Sequence, residues 1–386
     1  MMEKRTLREI STFIRTGKTP PTSQTKYFEG EVNWYTPGDL DLGKYLTKSR
    51  RTLTQLAFDD KKAVIFPKDT LLIGCIGDIG KIGITTDLCS SNQQLTGLYP
   101  NEKADVSYLY YWFRGNKKTL ESTSNNAVVP ILNNRTLETI KIPLPPLPQQ
   151  QKIANILDAA DALRQKDKAL LAKYDELTQA LFLDMFGDPV SNPKGWDKVK
   201  LEEISKISSG STPSRENESY YDGEIPWVKT GEVNGKVIYN TSEHISEEAL
   251  KNSSCKLYPI GSLIIAMYGQ GKTRGQIGML GIEATTNQAC GVLSPSNKMN
   301  FNFLFHLLQL NYEDLRSLGR GGNQPNLNSG LLKNYIIFNP PIKLQNQFAE
   351  RVQVIEQQKA IAQKSLEKSE ALFNSLLQKA FKGELV

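Results

Sequence analysis

Histidine and cysteine are scarce in this chain of 386 residues, which holds two histidines, His244 and His306, and four cysteines, Cys75, Cys89, Cys255 and Cys290. A structural zinc site needs closely spaced thiolates or imidazoles, and no such spacing occurs. The cysteines read as small buried side chains in a reducing compartment. His306 lies in the apolar run Phe303-Leu304-Phe305-His306-Leu307-Leu308, which suits a core or boundary residue better than a catalyst. The shortage of both residue types argues against nucleophilic and metal chemistry. Long apolar runs are missing too, and none approaches the roughly 18 residues that span a bilayer. The start, Met1-Met2-Glu3-Lys4-Arg5, runs into mixed sequence without the apolar stretch of a signal peptide, so a cytoplasmic protein without membrane contact is expected. Strong charge is also absent. The formal net charge is +6, with the excess carried mainly by the first 148 residues, well short of the footprint of a non-specific nucleic-acid binder.

What is present is an internal repeat displaced by about 190 residues. Leu7-Arg8-Glu9-Ile10-Ser11 meets Leu201-Glu202-Glu203-Ile204-Ser205, and Gly17-Lys18-Thr19-Pro20 meets Gly210-Ser211-Thr212-Pro213. Trp34 meets Trp227, Gly38-Asp39 meets Gly231-Glu232, and Asn92-Gln93 meets Asn287-Gln288. Pro145-Pro146 and Ala154 meet Pro340-Pro341 and Ala349. Matches in one order over so long a stretch indicate duplicated domains rather than a solenoid. Within each copy the pattern predicts a short helix (7–14, 201–207), a Gly-x-Thr-Pro loop and short strands such as 64–66, 70–73 and 262–266. Gly-rich turns, a helix (106–112, 301–310) and a last strand ending at a proline pair follow. The fold class is α+β.

Each copy then opens a long helix, Gln149 to Phe186 and Gln345 to Phe381, roughly 55 Å of rod without an internal Gly or Pro. In the first, apolar residues at Ile156, Ala160, Leu163, Leu170, Tyr174, Leu177 and Leu181, with Asp167 in a polar slot, step by three and four like a coiled-coil seam. In the second the seam runs Val352, Ile355, Lys359, Ala362, Leu366, Ser369, Phe373, Leu376 and Ala380. Two such helices are expected to pair antiparallel, with Asp167 and Lys359 facing each other; the plainer alternative has each helix packing on its own domain. The organisation expected is 1–147 and 188–342 as globular domains, and 148–187 and 343–386 as helices.

Three motifs invite a functional reading. Ala266 to Thr273 misses a phosphate-binding loop by one glycine, its counterpart around Lys81 lacks the hydroxyl residue, and strand rather than helix follows; a basic hairpin tip is expected. Asn339-Pro340-Pro341-Ile342 lacks the aromatic residue of the amino-methyltransferase tetrapeptide, and no Gly-rich cofactor loop precedes it, so a strand stop is the better account. Trp34 and Trp227 read as core anchors shared by the duplicated domains rather than base-stacking platforms. Loops rich in Arg, Lys, Asn, Gln and Gly are more suggestive, because those side chains bond bidentately to base edges and phosphates. Lys18, Lys81, Asn133 and Arg135 in the first copy, and Lys229, Lys272, Arg274, Arg320, Asn323, Gln324 and Asn326 in the second, are the candidate DNA contacts.

The order of domain, Pro145-Pro-Leu-Pro-Gln-Gln-Gln-Lys-Ile-Ala154 opening a long helix, second domain, and Pro340-Pro-Ile-Lys-Leu-Gln-Asn-Gln-Phe-Ala349 opening another resembles the specificity subunits of type I restriction–modification systems. The Gly-x-Thr-Pro loops and Trp-x-x-x-Gly-Asp/Glu segments are similar to those of their target recognition domains. Lys343-Leu344 departs from the Pro-Gln of the first copy, which puts the start of the second helix in question. The resemblance implies a non-catalytic prokaryotic subunit whose two domains each read one half of a bipartite site in double-stranded DNA. It implies that the helices set the gap and dock two methyltransferase subunits, with motor/nuclease subunits completing the complex. S-adenosylmethionine, ATP and Mg2+ would belong to those partners and no cofactor to this chain. A self-contained DNA adenine methyltransferase and a scaffold binding only proteins are the competing readings.

Overall fold

The computed structural model describes residues 3–41, 43–123, 129–320 and 326–385. The chain divides into two compact units, one made of residues 1–169 and 363–386, the other of residues 170–362. Each unit therefore takes a globular domain and half of each long helix.

Unit 1 contains β1 (Lys4–Thr6), β2 (Ser11–Thr16), β3 (Phe28–Tyr35), β4 (Tyr45–Leu46), β5 (Arg51–Leu53) and α1 (Gln55–Asp59). Next come β6 (Leu71–Gly74), β7 (Ile82–Thr85), β8 (Cys89–Ser91), β9 (Leu95–Pro100), α2 (Val106–Gly115) and α3 (Lys117–Thr123). The domain ends with α4 (Asn134–Thr139) and β10 (Lys141–Pro143), before the long helix α5 (Leu147–Phe186). A five-stranded sheet in the order β2-β9-β6-β7-β4 lies beside a three-stranded sheet β5-β3-β8 and the pair β1-β10. Residues alternate across β6 with the period of two that a strand imposes. Leu71 and Ile73 pack with α2, whereas Leu72 packs with Tyr35, Leu46 and Phe66 on the other face. A sheet buried on both faces reads as a continuous apolar run.

The helix expected over 7–14 closes after one tight turn, Leu7–Ile10, capped by reciprocal bonds between Thr6 and Glu9. The chain then enters β2, as the β-branched Thr12, Ile14 and Thr16 favour. Of the run 64–66, Phe66 alone forms a bridge, to Cys89. Pro67 follows and lacks the N–H to continue a ladder.

Unit 2 repeats this layout. It contains β11 (Lys198–Lys200), α6 (Leu201–Ile204), β12 (Ile207–Ser209), β13 (Ile225–Val228), β14 (Val237–Ile238), β15 (His244–Ile245) and α7 (Glu247–Asn252). Then follow β16 (Leu263–Ala266), β17 (Ile277–Leu280), β18 (Thr285–Thr286), β19 (Cys290–Leu293), α8 (Phe301–Leu310) and α9 (Tyr312–Ser317). α10 (Ser329–Lys333) and β20 (Ile336–Phe338) lead to the second long helix, α11 (Ile342–Lys382). Sheet orders β12-β19-β16-β17-β14, β15-β13-β18 and β11-β20 match those of unit 1 strand for strand. Leu263 and Ile265 pack under α8, and Ile264 and Ala266 on the opposite face.

The glutamine of each helix-opening motif explains how the rods are fixed to their domains. Gln150 is fully buried; its amide donates to the carbonyls of Lys103 and Pro145 and accepts from the N–H of Asp105, the N-cap of α2. Gln345 repeats this with Pro340, Asn339 and the N–H of Asn300, the N-cap of α8. Lys343-Leu344 leaves the second helix starting at Ile342, the counterpart of Leu147.

The two rods pack antiparallel within each unit. In unit 1 the Arg164 guanidinium lies 4.6 Å from the Phe373 ring centre, and Asp167 accepts from Ser369 at 2.7 Å and Ser365 at 3.2 Å. In unit 2 Asp175 pairs with Lys359, and Phe182 stacks edge-on with Phe348 at 5.4 Å. Asp167 and Lys359 thus have other partners, contrary to the pairing expected. On α11, Val352, Leu366 and Phe373 are buried, with Ile355 and Leu376 half-buried. On α5 the expected positions divide. Ala160 is buried and Ile156 and Leu181 are half-buried, but Leu163, Leu170 and Leu177 are 46%, 41% and 49% exposed. The more buried line keeps Ala160, Asp167 and Tyr174 of that seam and takes Leu157, Arg164, Leu171 and Thr178, each one residue on from the position expected.

The domains join the rods by different chemistry. In unit 1 the Lys44 ammonium is buried, 2.6 Å from Asp158 of α5 and within 5.2 Å of the Tyr45 and Tyr111 ring centres, and Tyr111 donates to the same carboxylate. In unit 2 a cavity of about 630 Å3 opens among Lys236, Met279, His306, Gln309, Thr178 and Lys359.

Candidate nucleic-acid interface

One end of the five-stranded sheet collects most of the candidate residues in each unit. In unit 1, β2 leaves the sheet there into the Gly-x-Thr-Pro loop, β9 enters from the Asn92-Gln93 turn, and β6 and β7 are joined across the turn 75–81. The loop is pressed against β8: a Cβ on Gly17 would collide with the Ser91 side chain and the carbonyls of Ser91 and Asn92. Thr19 donates to Gln93, tying loop to turn. The turn 75–81 is latched by Gly77 N–H to the Pro130 carbonyl and by Leu132 N–H to the Cys75 carbonyl. Asn134 completes the end, accepting from Thr16 and Thr96 at 3.1 Å each.

Lys18, Lys81, Asn133 and Arg135 are brought to this end, in different states. Lys18 donates to the Lys61 carbonyl at 2.7 Å, and Asn133 is the N-cap of α4. Lys81 pairs with Asp78 at 2.9 Å, and this hydrogen bond and charge hold the Asp78 carboxyl below its usual range. Arg135 is exposed on the first turn of α4.

Unit 2 builds the same end from the same parts. Gly210 is pressed against Thr286 and Asn287, and Thr212 donates to Gln288. Residues 266–277 form a hairpin between β16 and β17 with no helix after it, as expected for a tip rather than a phosphate loop. α9 braces it, with Tyr312 donating to the Lys272 carbonyl at 2.7 Å and Arg316 to that of Gly271. Lys272 is exposed at the tip, and Arg274 and Asn326 are half-buried. Lys229 follows β13 to this end but is spent on Glu243 at 2.6 Å; that hydrogen bond, with Arg215 adding, lowers the Glu243 pKa. Arg320 ends a short turn, Leu318–Arg320, and its side chain, like Asn323 and Gln324, lies outside the described residues.

Both tryptophans are buried anchors. The Trp34 indole donates to the Lys18 carbonyl and Trp227 to the Ser211 carbonyl, so each holds its Gly-x-Thr-Pro loop. What sequence reasoning missed lies on their faces: Arg51 in unit 1, and Arg215 with Glu243 in unit 2. The only sequence signal was a cation near each Trp and its Phe or Tyr neighbour, too common to single out.

The four cysteines are buried and unpaired. Burial pushes the Cys75 thiol up to about 11, and burial with the charge of Asp87 or Glu232 pushes Cys89 and Cys290 up to about 12, the opposite of a reactive thiolate. Among the described residues no group of acidic, His or Cys side chains is placed to hold a metal ion, and no helix is long and apolar enough to cross a membrane.

Residues 1–173 and 193–371 each match the family described as type I restriction modification DNA specificity domain. The chain is 28% identical, over 96% of its length and 90% of the relative's, to the type I restriction enzyme MjaIX specificity subunit of Methanocaldococcus jannaschii. It is 24% identical to the EcoR124I/EcoR124II specificity subunit of Escherichia coli, over 68% of this chain and 66% of that one. The fold is that of the type I restriction–modification S subunit from M. genitalium, with a TM-score of 0.63 at 16% identity over 99% of this chain and 96% of that one. A chain from a structure of type I system assembly gives 0.60 at 18% identity, covering 99% and 98%. With both halves matched, the chain belongs to the type I restriction–modification DNA specificity family, as a non-catalytic specificity subunit whose catalytic activity lies in partner subunits.

Proposed function

We propose that each globular domain, 1–147 and 188–342, reads one half of a bipartite site in double-stranded DNA. The helices 148–187 and 343–386 set the gap and dock two methyltransferase subunits. Motor/nuclease subunits, bringing ATP and Mg2+, complete a cytoplasmic restriction complex, and S-adenosylmethionine sits in the methyltransferases. The observation that carries this reading is one sheet end built twice on one framework, with different cations on each copy: Lys81 and Arg135 in unit 1, Lys272 and Arg274 in unit 2. Repeated loops that keep Gly, Thr, Pro, Trp and Gln but change their cations suit two readers of unlike half-sites.

The exposed leucines support docking. Leu170 and Leu177 on α5, and Val354 and Ile361 on α11, are seven residues apart on one helix face each, as a partner helix requires.

Co-expression with the methyltransferase subunits, followed by mapping of modified adenines across a genome, tests the proposal. One split motif is expected, with one half changing when residues 1–148 are replaced by those of a relative. Recovery of no gapped motif would overturn it.

A further inference from the structure

At the reading end of unit 1, β5 lies antiparallel to β3 with Arg51 opposite Trp34. The Arg51 guanidinium sits over two rings, 4.2 Å from the Phe28 centre and 5.5 Å from that of Trp34, which meet edge-to-face at 6.0 Å. Arg51 is exposed, and among the described residues no carboxylate pairs with it. Unit 2 has the same aromatic seat, Tyr221 and Trp227 edge-to-face at 5.9 Å. There the residue opposite the tryptophan is Glu243, whose carbonyl accepts the Trp227 N–H. A guanidinium still fills the seat, but it comes from the Gly-x-Thr-Pro loop: Arg215 lies 4.1 Å from the Tyr221 centre and 5.0 Å from that of Trp227. It pairs with Glu243 at 2.8 Å, as does Lys229.

Two diverged domains have thus kept a guanidinium in one place while supplying it from different segments. One copy is neutralised within the domain and the other is not. A guanidinium lying on ring faces is already oriented, so little rotamer freedom remains to be lost when its outward N–H fork meets a partner. That partner must be a planar or tetrahedral oxyanion able to accept the fork. The seat is a strand position on β5 rather than a loop tip, which suits the backbone of a duplex better than a groove floor.

We propose that Arg51 binds a DNA phosphate and holds the first domain in register on its half-site, while Glu243 closes the equivalent seat of the second domain to DNA. This rests on the DNA-reading function above. It also assigns the two domains unequal shares of the electrostatic contact.

The test is titration of the complete complex with its methyltransferase subunits against a duplex carrying the recovered motif and against an unrelated duplex, at several salt concentrations. Arg51→Gln should weaken both duplexes by a similar factor of about ten or more. It should also make the slope of log affinity against log salt shallower by about 1, while Arg51→Lys keeps most of the slope. Glu243→Gln should raise affinity for the unrelated duplex and steepen the slope. A second arm starts from the wild-type chain: duplexes with single neutral methylphosphonates in the first half-site should show one position where affinity drops. With Arg51→Gln, that position should become silent.

Unchanged affinity and slope in Arg51→Gln, or no sensitive phosphate in the wild-type scan, overturns the proposal while leaving DNA reading intact. A loss confined to one base pair of the motif also overturns it, since that marks a base reader. Failure of the wild-type complex to prefer the motif would instead overturn the reading on which the proposal rests.

Discussion

In unit 1 a buried lysine clips the domain to the rod beside a cavity of about 440 Å3, whereas in unit 2 the same place has no such clip among the described residues and its cavity is about 630 Å3. Lys44, Tyr111, Arg114, Asp158 and Asp161 form a closed set: Lys44 and Tyr111 share Asp158, Arg114 and Arg164 share Asp161, and both guanidiniums lie on Phe373. Along the repeat, Lys236, His306, Gln309, Gln353 and Glu356 stand in those positions, and Thr178 occupies the place of Phe373. Replacing the helix carboxylate by Gln353 and the ring by Thr178 removes the charge partner and the filler together. Gln309 instead donates to the Gly235 carbonyl at 2.6 Å, and Lys359 takes Asp175 and Glu356. One backbone therefore tolerates two chemistries at this junction, each with its polar groups partnered mainly within its own unit.

The ring should matter most. Phe373 is 1% exposed, and Phe373→Thr removes a filler that two guanidiniums also need. A loss of about 3–5 kcal/mol in urea unfolding is expected. The mirror change, Thr178→Phe, enters a site that already has room, and its effect is expected within about 1 kcal/mol. Equal losses from both would erase the contrast between the two junctions.

The clip comes next. Asp158→Asn leaves the buried Lys44 ammonium without its carboxylate. The cost should be on the order of 2 kcal/mol, below that of a fully enclosed pair because Asp158 is 39% exposed. Changing Lys44→Met together with Asp158→Asn should recover most of that loss. Gln353→Ala, at the equivalent place in unit 2, is expected within about 0.5 kcal/mol. Unfolding curves for the four chains would show the order, and an Asp158→Asn chain as stable as wild type would remove the clip from the account.

Much of this was legible in the sequence, and the misses have two causes. The repeat and the α11 line from Val352 to Phe373 stand out, the latter because Val352, Ala362, Leu366 and Phe373 hold their spacing over more turns than the rival pair Val354 and Ile361. On α5 two heptad lines run side by side. They share Ala160, Asp167 and Tyr174; the one carrying Leu163, Leu170 and Leu177 is the more apolar, but the one carrying Arg164, Leu171 and Thr178 is the one that packs. Periodicity selects the oilier face, whereas packing accepts polar side chains that find partners, such as Arg164 with Asp161. The guanidinium seats were illegible for another reason. Arg215 and Arg51 occupy like places from unlike positions in the repeat, so alignment of the two copies hides the equivalence.

The cavity also gives unit 2 a pH response that unit 1 lacks. Burial, reinforced by the Lys359 charge, lowers the His306 pKa to about 4. The folded chain thus keeps a neutral imidazole where the unfolded chain takes up a proton. Through this group stability is unaffected above about pH 6.5 and is lost as pH falls from there toward 4, by on the order of 3 kcal/mol. His306→Phe should flatten that part of the stability profile measured by thermal unfolding. An unchanged slope would take His306 out of the response.

The smallest effect sharpens the same point. Lys359 is 31% exposed and pairs with Asp175, itself 65% exposed, so Lys359→Met should cost less than about 1 kcal/mol. Its larger consequence is electrostatic. The Lys359 charge helps keep His306 neutral, so its removal should raise the imidazole pKa toward, but not to, the ordinary value, because burial remains the first cause. Titration of the His306 ring resonances by NMR separates the two contributions. A midpoint that stays put in Lys359→Met would mean that the charge does not reach the ring, leaving burial alone to distinguish this junction from the one that Tyr111 closes.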